Sequence, residues 1–425
     1  MLSFPGAAAG RGWPRLAALA PLARRLVLAA SACKQEGTIE VTGAGGPRRL
    51  GGGGPVARVV VHDDRTYLAL LGSASVGLGR SYVAGWWDCE DLTTLVQVLS
   101  RWTRAWRHPL DGAAQVLSPV LDLPARVRAP GRADDLRNVR AHYDLSNEFF
   151  ELMLDETMTY SCAVFDHEGT SLADAQRAKV DRLCTKLGLR PGDRVVEVGS
   201  GWGGFAVHAA GRYGCHVTTT TISEAQRNYV AERVAQAGLS HLVTVLGADW
   251  RDLLVLGDGP GRFDKLASVE MIEAVDWRHH DEFLGTCARL LRADGVAVLQ
   301  AIVIDDRSFE RAKRHQDFVR RMVFPGGCIP SVASITSSLA RASDLRVVDL
   351  EDIGRHYAQT LRLWAANLAA HAEAVERLGV SQELRRLWAL YLAYCEASFL
   401  ERHISDVQLV LAKPAWRGRL AVREA

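Results

Sequence analysis

The stretch that most constrains the fold is PGDRVVEVGSGWGGFA at residues 191–206. Arg194 to Val198 is typical of a strand, the segment Gly199 to Gly204 is rich in glycine, and Phe205 to Arg212 is typical of a helix. A strand that meets a helix through glycines lets a ligand approach bare backbone at the helix N-terminus. The stretch therefore predicts a binding turn for a nucleotide-like cofactor.

Two cofactors compete for such a turn, NAD and S-adenosylmethionine (AdoMet). Gly199, Gly201 and Gly204 match G-x-G-x-x-G, which alone is a weak signal for NAD. A dehydrogenase would also place an acid at the end of the second strand, about 20 residues further on. The predicted second strand, 215–222, ends in threonines, and the acid instead precedes the turn, at Glu197. A carboxylate there suits the cationic sulfonium of AdoMet, so the pattern favours AdoMet over NAD, and both over a purely structural turn.

Composition limits the other classes of function. The 425 residues carry a net charge of +2 and 48% hydrophobic residues, values of a globular chain with no general attraction to nucleic acid. The 8 cysteines and 13 histidines have no metal-ligand spacing, so no metal site is predicted. Scattered cysteines are typical of a reducing cytoplasm. No apolar run reaches the roughly 18 residues of a membrane span, and no cleaved signal peptide is expected.

From about residue 138 the hydrophobic pattern alternates between strand and helix. Strands are predicted at 193–198, 215–222, 241–247, 265–269 and 296–302, and helices at 171–187, 203–213, 223–238 and 277–292. This alternation predicts an α/β fold with a mostly parallel sheet and helices on both faces, whose ligands bind beyond the carboxyl ends of the strands. Further helices are predicted at 307–322, 331–342, 356–378 and 381–402, with a last strand at 406–411.

The part before this alternation is predicted to be a smaller domain. Residues 1–50 form a poorly defined segment, 51–130 a mainly helical domain with a short strand at 56–62, and 131–415 the α/β domain. The polar stretch 125–135, punctuated by proline and glycine, is the predicted boundary.

Two segments have a membrane-surface interpretation beside a plainer one. Trp13 to Ala30 is predicted to be a basic amphipathic helix, which we interpret as a surface helix rather than a membrane contact. The segment 320–329 places Arg320 and Arg321 beside apolar residues and could dock on an anionic bilayer. The commoner arrangement is a loop whose apolar residues fold inward. The tract 43–54, which follows the first of these segments, is predicted to be flexible.

Several motifs in one order resemble the cyclopropane-fatty-acyl-phospholipid synthases and their mycolic-acid relatives. They are GLGRSYVAGWWDCEDL at 77–92, HYDLSNEFFELMLDETMTYSCAVF at 142–165, VVEVGSGWGG at 195–204, TISEAQ at 221–226, SVEMIEAV at 268–275, FPGGCIPS at 324–331, HYAQTLRLW at 356–364 and YLAYCEASF at 391–399. The resemblance covers most of the chain and is far more specific than the glycine turn alone.

The resemblance implies a Rossmann-like AdoMet methyltransferase core behind a smaller helical domain. It implies methyl transfer to the cis double bond of an unsaturated acyl chain in a membrane phospholipid, giving a cyclopropane. The motifs DETMTYSCA and SVEMIEAV, with the glutamine of LQAI, are closest to an actinobacterial branch that converts oleoyl chains to 10-methylene products. The implied partners are membrane phospholipids, a reductase if the product is a methylene branch, and a second copy in a homodimer. The implied location is the cytoplasm, peripheral at the inner membrane surface.

The chemistry explains which catalytic residues such a protein needs. An alkene is a weak nucleophile, and its attack on the AdoMet methyl group leaves a carbocation, so the site must exclude water and supply a base. The resemblance implies that bicarbonate is this base and that Cys162, Glu273, Tyr357 and the backbone of Ile302 bind it. Gln300 stands where many members have histidine, and glutamine cannot relay a proton near neutrality.

Taken alone, these residues also have plainer explanations. Glu273 could be an acid that a helix N-terminus favours, Cys162 a small buried hydrophobe, and Tyr357 a core residue.

For AdoMet, the resemblance and the strand ends together predict nine binding residues: Tyr160, Ser161, Glu197, Gly199, Gly201, Thr221, Gln226, Asp249 and Trp250. Trp250 and Asp249 are expected to stack on the adenine and to accept from its amino group. Gln226 also completes a capping box, Ser223-x-x-Gln226. Two other functions stay open: a methyltransferase for a small amine or hydroxyl, and a lipid-associated pseudo-enzyme that binds AdoMet without catalysis.

Overall fold

The computed structural model describes residues 17–32, 34–104, 145–256 and 259–418. These residues form two compact units. The larger unit contains the described residues from 145 to 316, Val323–Leu378 and the described residues from Arg402 onward. The smaller unit contains the described residues up to 104, Asp317–Met322 and Gly379–Glu401. The boundary predicted at 125–135 lies outside the described residues.

The strands of the described residues form two sheets. In chain order they are β1 (Gly37–Thr42), β2 (Arg48–Gly52), β3 (Val56–Val61), β4 (Trp87–Cys89), β5 (Arg194–Val198), β6 (His216–Thr220), β7 (Val243–Leu246), β8 (Phe263–Val269), β9 (Leu291–Ile304), β10 (Arg346–Asp352) and β11 (Ile404–Ala412). The smaller unit holds a four-stranded sheet in the order β2-β1-β3-β4. The larger unit holds a seven-stranded sheet in the order β10-β11-β9-β8-β5-β6-β7.

The α-helices of the described residues are, in chain order, α1 (Ala20–Ala32), α2 (Arg65–Val83), α3 (Leu92–Arg104), α4 (Asn147–Met153), α5 (Leu172–Leu187), α6 (Gly204–Tyr213), α7 (Glu224–Gln236), α8 (Leu253–Leu256), α9 (His280–Leu290), α10 (Asp306–Ala312), α11 (Phe318–Met322), α12 (Val332–Ala342), α13 (Arg355–Ala370), α14 (Ala372–Arg377) and α15 (Gln382–Leu400). Local chemistry sets their ends. The Ser171 side chain accepts from the Asp174 amide to begin α5, and Gly188, at φ 60°, ends it. Each described helix is too short or too polar to span a bilayer.

The seven-stranded sheet is mostly parallel, as the alternating pattern predicts. Strands β7, β6, β5, β8 and β9 run parallel, and β11 and β10 complete the sheet in antiparallel pairs. Strand β10 was missed by the sequence prediction because its residues are exposed or half-buried at the sheet edge, which leaves no strong hydrophobic alternation.

Helices cover both faces of this sheet. Along β9, Ala297 and Leu299 belong to one core cluster, which includes residues of α9 and α12. Val296 and Val298 point to the opposite face and belong to a second cluster, with residues of α5, α6 and α7. Because successive strand residues face opposite sides, two buried faces require apolar residues at nearly every position.

The strand register brings distant residues together at one edge of the sheet. Val269, the last residue of β8, lies opposite Gln300 of β9. On the other side of β9, Gln300 lies opposite Gln408, and Ile302 lies opposite Asp406. The residues that follow β8 therefore meet side chains from the antiparallel strand β11.

The smaller unit differs from its prediction in its strands, one of which, β4, was not predicted. Three helices are present among its first described residues, with β3 at the predicted strand, but β1 and β2 form a hairpin that was not predicted. The tract 43–54, predicted to be flexible, contains β2 because Leu50 is buried between flanking glycines and arginines. Glycine-rich composition hides this single buried residue.

The predicted helix 307–322 is wrong as one continuous element. It is divided into α10 and α11 because the Asp317 carboxylate accepts from the Arg320 amide and starts a new helix. Phe318, the first residue of α11, is buried and packs on Tyr394 with ring centroids 5.7 Å apart.

Candidate active site

A cavity of ≈ 210 Å³ lies at the carboxyl ends of β5, β6 and β7. All nine residues predicted for AdoMet line it: Tyr160, Ser161, Glu197, Gly199, Gly201, Thr221, Gln226, Asp249 and Trp250. The structure thus brings the predicted cofactor residues together in one place, at the sheet edge where parallel sheets bind ligands.

The glycine turn forms one wall of the cavity. Gly199, Gly201 and Gly203 adopt φ values of 95°, 49° and 85°, which disfavour any residue with a Cβ atom. A Cβ added at Gly201 would meet no other atom within 4 Å, so the backbone there faces open space. Bare backbone beside space at the start of α6 is suited to the close approach of a ligand.

Glu197 lies on β5 directly before this turn. Its side chain is 2% exposed, and it accepts a hydrogen bond of 2.5 Å from the Thr219 hydroxyl. Burial raises the pKa of Glu197 to about 8, because the carboxylate loses its hydration. A cationic ligand group in the cavity would stabilise the ionised form, which is consistent with the predicted role opposite a sulfonium.

Thr221 and Gln226 form a pair on the second wall. The Thr221 hydroxyl donates to Gln226 Oε1 at 2.8 Å. The predicted capping box is only half formed: the Ser223 hydroxyl accepts from the Gln226 amide, but the Ser223 amide donates to Thr221 instead of to Gln226. The Gln226 side chain is therefore turned toward the cavity rather than toward its own helix N-terminus.

Asp249 and Trp250 follow β7 and are both already engaged. Both Asp249 oxygens accept from the Arg251 guanidinium, at 3.1 and 3.0 Å. The same guanidinium lies 4.5 Å from the centre of the Trp250 ring, and Phe283 packs edge-on against that ring. A carboxylate has about four acceptor sites, so Asp249 retains capacity for a further donor, and the adenine contacts stay a prediction.

Tyr160 and Ser161 also line the cavity. The Ser161 hydroxyl accepts from the buried Lys179 ammonium at 2.6 Å, and the Ser161 carbonyl accepts from the Gln176 amide at 2.7 Å. Tyr160 contacts the rings of Trp202 and Trp364. Neither Lys179 nor Gln176 was predicted. Both lie inside a helix, and the hydrophobic pattern of that helix does not show that these polar side chains are buried.

Of the residues predicted to be catalytic, three converge on a carboxylate that was not predicted, Glu270. Its Oε1 accepts from the Cys162 backbone amide at 2.7 Å and from Gln300 Nε2 at 2.9 Å. Its Oε2 accepts from the Tyr357 hydroxyl at 2.5 Å. Glu270 also lines the cavity, so this network borders the space beside the glycine turn.

The other two predicted residues, Glu273 and Ile302, pair with each other nearby. The Ile302 amide donates to Glu273 Oε1, while Glu273 Oε2 is buried without a hydrogen-bond partner. Burial, and then the negative charge of Glu270, raise the pKa of Glu273 to about 8. Glu273 is therefore mostly a neutral acid at neutral pH.

Asp406 extends the network onto β11. It accepts from Gln300 Nε2 at 2.9 Å, and Gln300 Oε1 in turn accepts from Gln408 at 3.0 Å. Burial raises the pKa of Asp406 well above its ordinary value, and the charges of Glu270 and Glu273 add to the effect. Burial also raises the pKa of the Cys162 thiol, so Cys162 contributes its backbone amide to the network rather than a thiolate.

The arrangement combines a cavity for a cationic, nucleoside-bearing ligand with a buried cluster of carboxyl groups on its wall. Sequence reasoning missed Glu270, Asp406 and Lys179. The available signal for Glu270 was its place directly after β8, at a strand end like the other candidates. Asp406 gave no such signal, because its strand is antiparallel and reaches the site only through the sheet register.

Known proteins are similar to this chain in sequence. Residues 131–409 match the family described as mycolic acid cyclopropane synthetase. The tuberculostearic acid methyltransferase UfaA1 of Mycobacterium tuberculosis is 35% identical over 347 residues, which cover 80% of this chain and 79% of that protein. The cyclopropane-fatty-acyl-phospholipid synthase of Escherichia coli is 32% identical over 377 residues, which cover 87% of this chain and 92% of that protein.

A solved structure extends the comparison to the fold. Mycolic acid cyclopropane synthase CmaA1, complexed with SAH and CTAB, superimposes with a TM-score of 0.59 and 33% identity, over 65% of this chain and 98% of that chain. The predictions of a Rossmann-like methyltransferase core and of an AdoMet-dependent enzyme are confirmed. The chain therefore belongs to the mycolic acid cyclopropane synthetase family.

Proposed function

We propose that this enzyme transfers the methyl group of AdoMet to the cis double bond of an unsaturated acyl chain in a phospholipid, forming a cyclopropane. The observation that carries the proposal is the cavity itself, which is lined by the nine AdoMet residues together with Glu270, one member of the carboxyl cluster. The relatives support the substrate class, since one is named as a cyclopropane-fatty-acyl-phospholipid synthase and another as a probable fatty acid methyltransferase.

Different residues of the chain would bind the methyl donor, exclude water and accept the proton. The glycine turn after β5 would hold the donor against bare backbone, with Glu197 beside its positive charge. The buried aromatic rings of Trp202 and Trp364, together with Tyr160, would keep water from the cation that methyl transfer leaves on the acyl chain. A carboxyl group on the cavity wall would then accept the proton that the cation loses.

Bicarbonate, the base that the family resemblance implies, does not fit the donors of this site. The Cys162 amide, Gln300 and the Tyr357 hydroxyl already donate to Glu270. The Ile302 amide already donates to Glu273. A bound bicarbonate would have to displace a carboxylate that is covalently part of the protein. The proposed mechanism therefore does not include bicarbonate.

The product has one alternative, a methylene branch. If a hydride shifts before the proton is lost, the same cation gives a carbon–carbon double bond to the new carbon instead of a ring. A relative named as a tuberculostearic acid methyltransferase supports methyl transfer to a fatty acid chain. Saturation of the methylene group would then require a reductase partner.

We also propose that the protein binds at the cytoplasmic face of a membrane. Leu19, directly before α1, is 48% exposed. Leu22 and Leu26, on α1, are 56% and 54% exposed. Their spacing of three and four residues forms one apolar stripe, with Arg25 exposed beside it, which suits an anionic bilayer surface. This favours the membrane interpretation of the N-terminal helix over the surface-helix interpretation.

The segment 320–329 supports membrane binding less well. Its neighbour Phe318 and its own Val323 and Cys328 are buried, so the apolar residues fold inward. In a vesicle sedimentation assay with anionic phospholipid, we expect Leu22→Glu and Leu26→Glu to weaken binding. Leu71→Glu, at an equally exposed leucine of α2, and charge reversal of Arg320 and Arg321 should leave it unchanged.

The central experiment supplies the purified protein with AdoMet labelled on the methyl group and vesicles of oleoyl phospholipid. We expect label in the fatty acids, and proton NMR then separates upfield ring signals from vinylidene signals. Since both products add the same mass, mass spectrometry alone cannot make this distinction. Tight AdoMet binding with no label in lipid would instead favour the pseudo-enzyme. Sedimentation velocity of the same sample tests the homodimer.

A further inference from the structure

We propose that Glu270 is the resident proton acceptor of this enzyme and that its carboxylate replaces an external bicarbonate. The inference rests on the proposed methyl transfer to an alkene and names the group that completes it. It follows from where the hydrogen bonds of the site converge, and it assigns a catalytic function to a residue that the family resemblance leaves without one.

Three donors are directed at Glu270, and two of them come from residues that the resemblance assigns to bicarbonate, Cys162 and Tyr357. Three independent parts of the larger unit supply them: the Cys162 amide before α5, the Gln300 side chain on β9 and the Tyr357 hydroxyl on α13. The two oxygens of a carboxylate and those of bicarbonate present similar acceptors at similar spacing. Glu270 therefore occupies, in chemical terms, the place of the anion.

The position of Glu270 makes it the member of this network that reaches the ligand space. Among Glu270, Cys162, Gln300, Tyr357 and Asp406, Glu270 is the residue that lines the cavity, together with the glycine turn. A proton lost by a group held in the cavity would meet this carboxylate before the buried groups behind it.

The backbone at Glu270 is strained in a way that favours a functional explanation. Its φ of 48° lies in the left-handed region, which is unfavourable for a residue with a Cβ atom. Glycine would adopt the same backbone without this cost. Such strain is concentrated at functional sites, where the surrounding structure holds the residue in place.

The neighbouring groups leave Glu270 as the acceptor. Burial and the charge of Glu270 raise the pKa of both Glu273 and Asp406, which makes each of them a weaker acid than an ordinary carboxyl group. Three donors directed at one carboxylate hold its two oxygens in a fixed position. The Lys179 ammonium, buried behind Ser161, interacts favourably with the charge of Glu270.

The step balances without any further reactant. The π electrons of the alkene form a bond to the methyl carbon of AdoMet, and the carbon–sulfur bond breaks, with its electron pair left on sulfur. The methyl carbon of the resulting cation then loses a proton to the Glu270 carboxylate. The electrons of that carbon–hydrogen bond close the ring or, after a hydride shift, form the methylene double bond. Glu270 later releases the proton to solvent.

The first test measures bicarbonate dependence in the wild-type enzyme. Label transfer from AdoMet to oleoyl phospholipid vesicles is followed in carbon dioxide-depleted buffer with and without added bicarbonate. We expect the rates to agree within about twofold, because the base is part of the chain. A wild-type enzyme that is active only with bicarbonate would overturn the inference and leave the proposed function intact. No transfer under either condition would overturn the proposed function itself.

The second test changes the carboxylate. Glu270→Gln keeps the shape but replaces one acceptor oxygen with an amide donor and removes the base, and we expect the rate to fall about 10²–10⁴-fold with AdoMet affinity unchanged. Glu270→Gly relieves the backbone strain and leaves room for an anion, so added bicarbonate should restore part of its rate. In ¹³C NMR, labelled bicarbonate should bind saturably to Glu270→Gly and not to the wild-type protein.

A matched control separates catalysis from backbone strain. Glu36 of the smaller unit is also a glutamate at positive φ, 70°, and it is exposed. We expect Glu36→Gly to retain the wild-type rate, with no response to bicarbonate. If Glu270→Gln is as active as the wild type, or if Glu270→Gly neither binds bicarbonate nor responds to it, then Glu270 is not the base.

Discussion

The two sides of the cavity are built in different ways. The cofactor side uses the glycine turn after β5 and Asp249 after β7, residues that follow consecutive parallel strands. The carboxylate side combines Glu270 after β8, Gln300 within β9 and Asp406 on the antiparallel strand β11. One side presents backbone to a ligand, and the other holds buried carboxyl groups in fixed positions.

This difference suggests that binding and proton transfer can be changed separately. Changes on the carboxylate side should lower stability or turnover with little effect on AdoMet affinity. Changes on the cofactor side should lower AdoMet affinity with a modest effect on stability. A variant that alters both quantities equally would mean that the two sides act as one unit.

The largest effect is expected at the centre of the carboxylate side. Gln300→Glu replaces the amide that donates to both Glu270 and Asp406 with a third carboxyl group of nearly the same shape. Two buried carboxyl groups then each lose one donor, so we expect the free energy of unfolding to fall by about 3 kcal/mol in urea titrations. Gln236→Glu, on the exposed face of α7, should change it by only about 0.5 kcal/mol. Equal effects of the two variants would contradict this picture of the network.

Tyr357 tests turnover on the same side. Tyr357→Phe removes one of the donors to Glu270, and we expect kcat to fall about thirtyfold while the Kd for AdoMet is unchanged. The control is Tyr394→Phe, which removes a buried hydroxyl that bonds to Asp317 in the smaller unit. That variant should lose stability but keep kcat. A rise in the Kd for AdoMet in Tyr357→Phe would break the separation of the two sides.

The same comparison explains how far the sequence could predict the site. The cofactor side was predictable because its residues lie within or just after short, contiguous motifs, and all nine line one cavity. The parallel strands and most helices were also predictable, since two buried faces give a strong hydrophobic pattern. The carboxylate side depends on the register between β8, β9 and β11, which no local pattern encodes.

Three examples show why parts of the structure could not be predicted from local sequence patterns. Asp406 has an ordinary position in a strand, and only its pairing opposite Ile302 places it in the network. Lys179 is one polar residue in a helix of mixed polarity, and nothing local indicates that it is buried. Strand β2 was missed because glycines and arginines surround its one buried leucine, and its partner β1 was not predicted although it buries Ile39 and Val41.

On the cofactor side, a pair of glycines separates backbone strain from ligand binding. Gly201 and Gly238 have φ values of 49° and 69°, and a Cβ at either position meets nothing within 4 Å. Alanine at each should therefore cost a similar amount of stability, about 1 kcal/mol. Only Gly201→Ala adds a methyl group to the cavity wall, so we expect it alone to weaken AdoMet binding, about tenfold by calorimetry. Similar affinities of the two variants would mean that the turn does not contact the ligand.

The smallest expected effect is a pH dependence of AdoMet affinity that originates at Glu197. Burial raises the pKa of this residue to about 8 in the ligand-free protein, so most molecules must lose a proton before a cation can pair with the carboxylate at pH 7. A cation beside the carboxylate lowers its pKa, and binding therefore releases a proton and becomes tighter as the pH rises. If the bound pKa falls well below 7, linkage predicts an affinity gain of about fivefold between pH 7 and pH 8. Because AdoMet carries an ionisable amine of its own, Glu197→Gln reports the contribution of the ligand, and the difference between the two curves belongs to Glu197. Parallel curves for the two proteins would show that the sulfonium or amine of AdoMet is held elsewhere in the cavity.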